Sequence, residues 1–239
     1  VMLLVGSSRF FARWWLGETY FRLGGGGRTS AELRKKNVVI YGAGSAGVAI
    51  SKFLGELGAQ NLIICDRFGI LNETDQRLNS AQRDLAKITN PNTITGTLEQ
   101  ALKNADVFIG VSSGNIVSKE MVQKMNSESI VFALANPISE ISREDALDAG
   151  VTIYGSGVSN LPNQINNALV FPGLFKGALE ARVKQITTEM EIAACYALSE
   201  IIPTSDLRYD YIIPDIFNVH VSENICQAII KVQESQENK

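Results

Sequence analysis

Residues 38 to 66 constrain the fold of this chain more than any other stretch. Val38 to Tyr41 are four apolar residues that read as a buried strand. Gly42, Gly44 and Gly47 follow at G-x-G-x-x-G spacing, and Val48, Ile50, Phe53, Leu54 and Leu57 then recur at helical intervals. Leu62 to Cys65 form a second apolar run that ends in Asp66. The order is strand, glycine turn, helix, strand and acid, with the acid about twenty residues past the last glycine.

Each part has a physical task. Gly42 lets the chain turn tightly out of the strand, and Gly47 lets the helix approach the sheet. A side chain at Gly44 would collide with a pyrophosphate lying on the backbone. Free N–H groups and the helix dipole attract phosphates to the Ser45–Ala46 helix start. Asp66 can accept hydrogen bonds from both adenosine ribose hydroxyls, and its charge repels a 2′-phosphate, so NAD is expected rather than NADP. Arg67 is the contrary residue, because a neighbouring arginine can pair with that phosphate. The plainer alternative is a glycine-rich turn that only packs a helix on a sheet, with Asp66 a surface charge.

The chain of 239 residues is long enough for one large or two small domains, and a 45% hydrophobic content supports a sizeable core. A net charge of −3 argues against nucleic acid as a partner. Cys65, Cys195 and Cys226 are far apart and odd in number, so neither a disulfide framework nor a C-x-x-C metal pair is expected. A reducing cytoplasm is the default reading. His220 is the only histidine, which leaves little material for a histidine base or a histidine-rich metal site. No apolar run approaches the roughly 20 residues of a membrane span.

Residues 1–36 differ in character from the rest. Trp14, Trp15, Phe10, Phe11, Phe21, Arg9, Arg13 and Arg22 crowd this stretch, and the run Gly24 to Gly27 is of linker type. Val1 to Val5 are too few for a signal-peptide core and have no basic residue ahead of them. A helix or hairpin packed on the main domain is preferred to a basic aromatic helix on a membrane surface. A third reading is that the stretch is foreign to the fold.

From residue 37 to 239 the order is regular and is read as one cofactor domain with C-terminal helices. After the opening unit, a helix is expected near 79–89, a short strand at Thr93–Thr95 and a short helix around Leu98 to Leu102. Val107–Val111, Ile130–Leu134 and Val151–Tyr154 read as buried strands. Ser118 and Ser142 are placed to cap the helices between them, and Gly150 to end the second. Helices follow near 174–182, 187–202 and 222–234. Uniformly apolar short strands alternating with helices predict an α/β fold, a doubly wound parallel sheet of Rossmann type with a C-terminal helical extension. Ligands bind at the carboxyl ends of such strands. That rule selects the loops at Gly42–Gly47, Asp66–Gly69, Ser112–Asn115, Asn136–Pro137 and Ser156–Ser159.

Ser112 then lies near the nicotinamide or merely starts a helix. The Asn136 amide either faces the ligand crevice, where it could hold a carboxylate or hydroxyl, or forms an Asx turn. Asn163, Gln164, Asn166 and Asn167 either face a polar ligand or cap a helix and stitch a loop. Glu140, Glu144 and Asp145 read as the solvated first turn of a helix.

Six blocks, Tyr41–Gly47, Cys65–Gly69, Asp106–Ser112, Phe132–Pro137, Pro162–Asn167 and Val170–Gly173, stand in the order of the NAD-binding domain of bacterial-type malic enzymes, which the chain resembles over roughly residues 37 to 232. Tyr211–Pro214 also resembles that family. The resemblance implies oxidation of (S)-malate with NAD or NADP, then decarboxylation to pyruvate, aided by Mg²⁺ or Mn²⁺ as a Lewis acid. It implies that Gly42, Gly44, Ser45, Ala46 and Gly47 hold the pyrophosphate and Asp66 the ribose. It places Ser112 near the nicotinamide and Asn166 near the cofactor, with Asn136 and Asn167 on the substrate. It also implies a homodimer or larger assembly.

The departures matter equally. The family's base lysine, acid tyrosine and acidic metal ligands come from a domain upstream of the glycine motif, and residues 1 to 37 contain none of those motifs. No catalytic residue and no metal ligand is therefore expected here, and the chain reads as a cofactor half whose catalytic domain is missing. Two rivals are a non-catalytic NAD-sensing module and the cofactor domain of another two-domain dehydrogenase. The Asn-Pro and Asn-Gln-Ile-Asn-Asn blocks count against the second.

Overall fold

The computed structural model describes residues 33–237; the expectations for residues 1–36 lie almost wholly outside the described residues. The described chain falls into two units, residues 33–164 and 165–237.

The first unit is a six-stranded sheet. Its strands are β1 (Asn37–Tyr41), β2 (Asn61–Asp66), β3 (Gly69–Ile70), β4 (Val107–Gly110), β5 (Ile130–Ala133) and β6 (Ile153–Ser156). They stand in the order β3-β2-β1-β4-β5-β6. All pairings are parallel except β2 with the two-residue edge strand β3. The helices of this unit are α1 (Ser45–Glu56), α2 (Ser80–Ile88), α3 (Leu98–Leu102), α4 (Lys119–Val122) and α5 (Arg143–Asp148).

The strands are apolar because both faces of the sheet are covered. Val39, Phe108, Val131 and Tyr154 point to one face, where Leu98, Ala101 and Leu102 of α3, Val122 of α4 and Ala146 of α5 join them in one core cluster. The alternate residues Val38, Ile40, Val107, Ile109, Ile130, Phe132 and Ile153 are equally buried on the other face. Sequence caps start the helices as expected: the Ser118 and Ser142 hydroxyls accept from the N–H groups of Met121 and Asp145. Gly150 leaves α5 at φ +95°. Asn79 and Thr97 form capping boxes with Gln82 and Gln100 that secure α2 and α3.

Three expectations need correction. Thr93 to Thr95 form no strand. Asn90 binds the Ile94 backbone through both ends of its amide, at 2.7 and 2.8 Å, and Thr93 stands at φ +48°, so this backbone is committed to a loop. The connection after β2 is not wholly irregular, because Gly69–Ile70 folds back as β3 and breaks the all-parallel pattern at the edge. The last helix starts at Val219, ahead of the expected residue 222, so His220 lies in its first turn.

The second unit contains α6 (Phe171–Glu180), α7 (Thr188–Ser199) and α8 (Val219–Glu237). Gly173 and Gly177 share one face of α6, and a Cβ on either would press into α8 at Ile225 or Ile229. The two helices therefore approach closely, with the Ser222 and Cys226 carbonyl oxygens also beside these glycines. Ile225, Cys226 and Ile229 are fully buried there.

Phe108 has no solvent exposure and sits at the centre of the core cluster. Phe108→Ala is expected to cost about 3–5 kcal/mol of stability, read from the midpoint of urea unfolding.

Candidate functional site

The parallel register brings four strand ends to one edge. The ladder continues beyond the strands: Gly42 N–H donates to the Cys65 carbonyl, Val111 N–H to that of Tyr41, and Leu134 N–H to that of Gly110. The glycine turn, Asp66 and the loops after β4 and β5 are thus neighbours along that edge. β1 lies between β2 and β4, so the chain leaves it in opposite directions and a crevice opens between the β1 and β4 loops.

The glycine turn is built for close approach. Gly42 has φ +124°, and a Cβ there would come within 3.0 Å of Val111 in the loop after β4. A Cβ on Gly47 would fall on the Gly42 carbonyl oxygen, so α1 can start here only with glycine. Gly44 is different: nothing lies within 4 Å of where its Cβ would be. Gly44, Ser45 and Ala46 are exposed at the start of α1, and Gly44 has no side chain to cap the helix. The first-turn N–H groups have no intrahelical acceptors and point toward that open space. Free N–H groups at a helix start attract anions.

Asp66 ends β2 half-buried. One carboxylate oxygen accepts the Phe68 N–H at 2.7 Å and shapes the turn. Arg67 is exposed beside it, with its guanidinium 4.7 Å from the Phe68 ring centroid; Arg77 stacks on the same ring at 4.5 Å. Asp75 chelates Arg77, and this pairing holds the Asp75 carboxyl down at about 2. The Cys65 thiol is pushed up to about 12 by burial and by the Asp66 charge, which makes it an inert core residue.

Ser112 follows β4 with its side chain exposed, and Asn136 follows β5, also exposed, before a cis peptide bond to Pro137. The structure brings Gly42, Gly44, Ser45, Ala46, Gly47, Asp66, Arg67, Ser112 and Asn136 to the same edge of the first unit. Asn166 and Asn167 belong to the second unit. Asn166 caps a 3-10 turn by accepting the Ala168 N–H at 2.9 Å, and Asn167 is exposed. Asn163 is buried and stitches its loop to β6 through a 3.0 Å bond to the Tyr154 carbonyl. Among the described residues no group of three or more His, Cys, Asp or Glu side chains could hold a metal ion.

One residue at this edge was misread from sequence. Glu140 is not a solvated helix-start acid but has no solvent exposure at all. Its Oε1 accepts the Ser112 N–H at 3.2 Å and its Oε2 the Ala135 N–H at 3.0 Å. Burial pushes its pKa above the usual carboxylate range, against the opposing pull of the N–H groups of Ala135, Glu140, Ser112 and Leu134. No neighbouring residue signalled it: Gly110, which makes room for this side chain, lies far back along the chain at the end of β4.

A family model described as malic enzyme, NAD binding domain, matches residues 23–234. The bifunctional malic/malolactic enzyme of Bacillus subtilis is 43% identical over 195 residues, covering 81% of this chain and 48% of that protein. The NAD-dependent malic enzyme of Geobacillus stearothermophilus is 42% identical over 200 residues, covering 84% of this chain and 42% of that protein. The crystal structure of the NAD-dependent malic enzyme of Thermotoga maritima superposes with a TM-score of 0.82 at 39% identity, covering 96% of this chain and 57% of that one. The chain thus spans a little under half the length of the first two relatives.

The raised pKa of Glu140 has a sign that can be checked. Its folded-state value lies above its unfolded one, so the associated stability is present below the usual carboxylate range and is lost as pH rises through the folded value. The melting temperature of the native protein is expected to fall relative to Glu140→Gln as pH rises through that window. Parallel curves for the two proteins would contradict it.

Proposed function

Because the chain belongs to the malic enzyme family, as its NAD-binding domain, we propose that it is the cofactor half of a decarboxylating malate oxidoreductase. In that reaction (S)-malate gives a hydride from C2 to NAD and a proton from its hydroxyl. The resulting oxaloacetate loses CO2, and the enolate left behind takes a proton at C3 to become pyruvate. Bound NAD supplies the hydride acceptor.

The observation that carries this reading is the open cradle at Gly44, Ser45 and Ala46, set beside Asp66 at the crevice between β1 and β4. Gly42, Gly44, Ser45, Ala46 and Gly47 hold the pyrophosphate on backbone N–H groups. Asp66 receives the ribose hydroxyls, and its charge favours NAD over NADP in spite of Arg67. Ser112 stands at the nicotinamide end, and Asn136 presents its amide to the substrate. Asn166 serves the cofactor and Asn167 the substrate.

The base, the acid and the ligands of Mg²⁺ or Mn²⁺ belong to the catalytic half that completes the enzyme. Reaction requires both halves closed on malate, because hydride transfer demands near contact between donor and acceptor. We assign the whole enzyme to a homodimer or larger assembly in the cytoplasm. Three buried cysteines that form no disulfide among the described residues support a reducing compartment, and no helix among the described residues is long and apolar enough to cross a membrane.

Calorimetric titration of the purified chain tests the reading. NAD is expected to bind more tightly than NADP, and Asp66→Ala to weaken NAD by about tenfold, roughly 1.4 kcal/mol, while narrowing that preference. Tighter binding of NADP would overturn the role of Asp66. The chain alone is expected to produce no NADH from malate, and steady turnover would refute its incompleteness.

A further inference from the structure

We propose that Glu140 is a positioning residue for the cofactor site: its buried carboxylate ties the loop after β4 to the loop after β5 and so fixes Ser112 relative to Asn136. The proposal rests on the reading of Ser112 and Asn136 as cofactor and substrate residues.

The geometry is that of a two-pronged clamp. One carboxylate oxygen holds the Ser112 N–H at 3.2 Å and the other the Ala135 N–H at 3.0 Å, immediately before Asn136. The main chain reinforces the tie, since Asn115 N–H donates to the Ser139 carbonyl and Val117 N–H to that of Glu140. Gly114 packs against Ile138 so closely that a Cβ would overlap it. Gly110 completes the niche: any side chain there would overlap the Glu140 carboxyl group. Both loops leave the carboxyl ends of adjacent parallel strands, which is where the ligand crevice lies.

A carboxylate is an expensive choice for packing. Full burial disfavours its charge, and an apolar side chain of the same volume would avoid that cost. What an apolar residue cannot do is accept two N–H groups from separate loops at once. Glutamine cannot do so either, because one prong of its amide is a donor facing a donor. Glutamate alone matches both donors at this length, since aspartate is one methylene shorter.

The test compares the native chain with Glu140→Gln, titrating each with NAD and with ADP-ribose, which lacks the nicotinamide. The adenosine side of the site lies at the Gly42–Gly47 turn and Asp66, whereas the clamp's two donors are the Ser112 and Ala135 N–H groups. Glu140→Gln is therefore expected to weaken NAD by about tenfold while ADP-ribose changes by less than about twofold. In ¹⁵N-resolved NMR spectra the Ser112 and Ala135 amide protons, both on a carboxylate in the native chain, are expected to shift upfield together. A general loss of structure would weaken both ligands alike. Parallel losses, or an unchanged ratio of the two affinities, would overturn the proposal.

Should Glu140→Gln fail to fold, Gly110→Ala displaces the carboxylate without changing its chemistry and is expected to give the same selective loss. An unchanged NAD to ADP-ribose ratio in Gly110→Ala would equally overturn the proposal. If the native chain binds neither ligand, the cofactor reading itself fails. The two amide resonances then decide the clamp separately: movement of only one of them in the variant would overturn it.

Discussion

The contact on which the first unit depends is the approach of α1 to the end of β1. The Gly42 carbonyl oxygen occupies the volume that a Gly47 side chain would need. That closeness presses the first turn of the helix against the sheet and leaves its N–H groups beside the crevice. It also leaves Gly42 against Val111, so the same turn fixes the spacing between the loops after β1 and β4. The close packing here has one cause, the absence of side chains at Gly42 and Gly47.

The opposite strategy operates one strand further along. The loops after β4 and β5 are held by a side chain rather than by the lack of one. Glu140 reaches into a niche opened by Gly110 and satisfies two backbone donors. An interior with low effective dielectric strengthens such bonds and penalises their loss. The second unit repeats the use of glycine for close approach, where Gly173 and Gly177 let α6 lie against α8. In each place a glycine matters for the volume it leaves to a specific neighbour.

Much of the fold was legible because its cause is local. Buried parallel strands read as uninterrupted apolar runs, and Ser118, Ser142 and Gly150 mark helix ends by short-range hydrogen bonding and backbone freedom. The elements misread or left open turn on specific contacts that residue type does not announce. Thr93–Thr95 looks like a strand until Asn90 occupies the Ile94 backbone. Gly69–Ile70 becomes a strand only because β2 offers an unpaired edge. Asn163 looks like a ligand-facing amide as much as a loop stitch, and its bond to Tyr154 commits it to the loop.

The sequence by itself determined the α/β class, the glycine turn, Asp66 and the order of the strands along the chain. Those features follow from residue type and spacing, which act over a few residues. Tertiary structure alone decided that the strands stand in the order β3-β2-β1-β4-β5-β6, which loops share an edge, and that Glu140 is interior. The acid beside Glu144 and Asp145 carries no mark of burial in the sequence. Its environment is made by Gly110, Ser112 and Ala135, which reach it only when β4 and β5 pair.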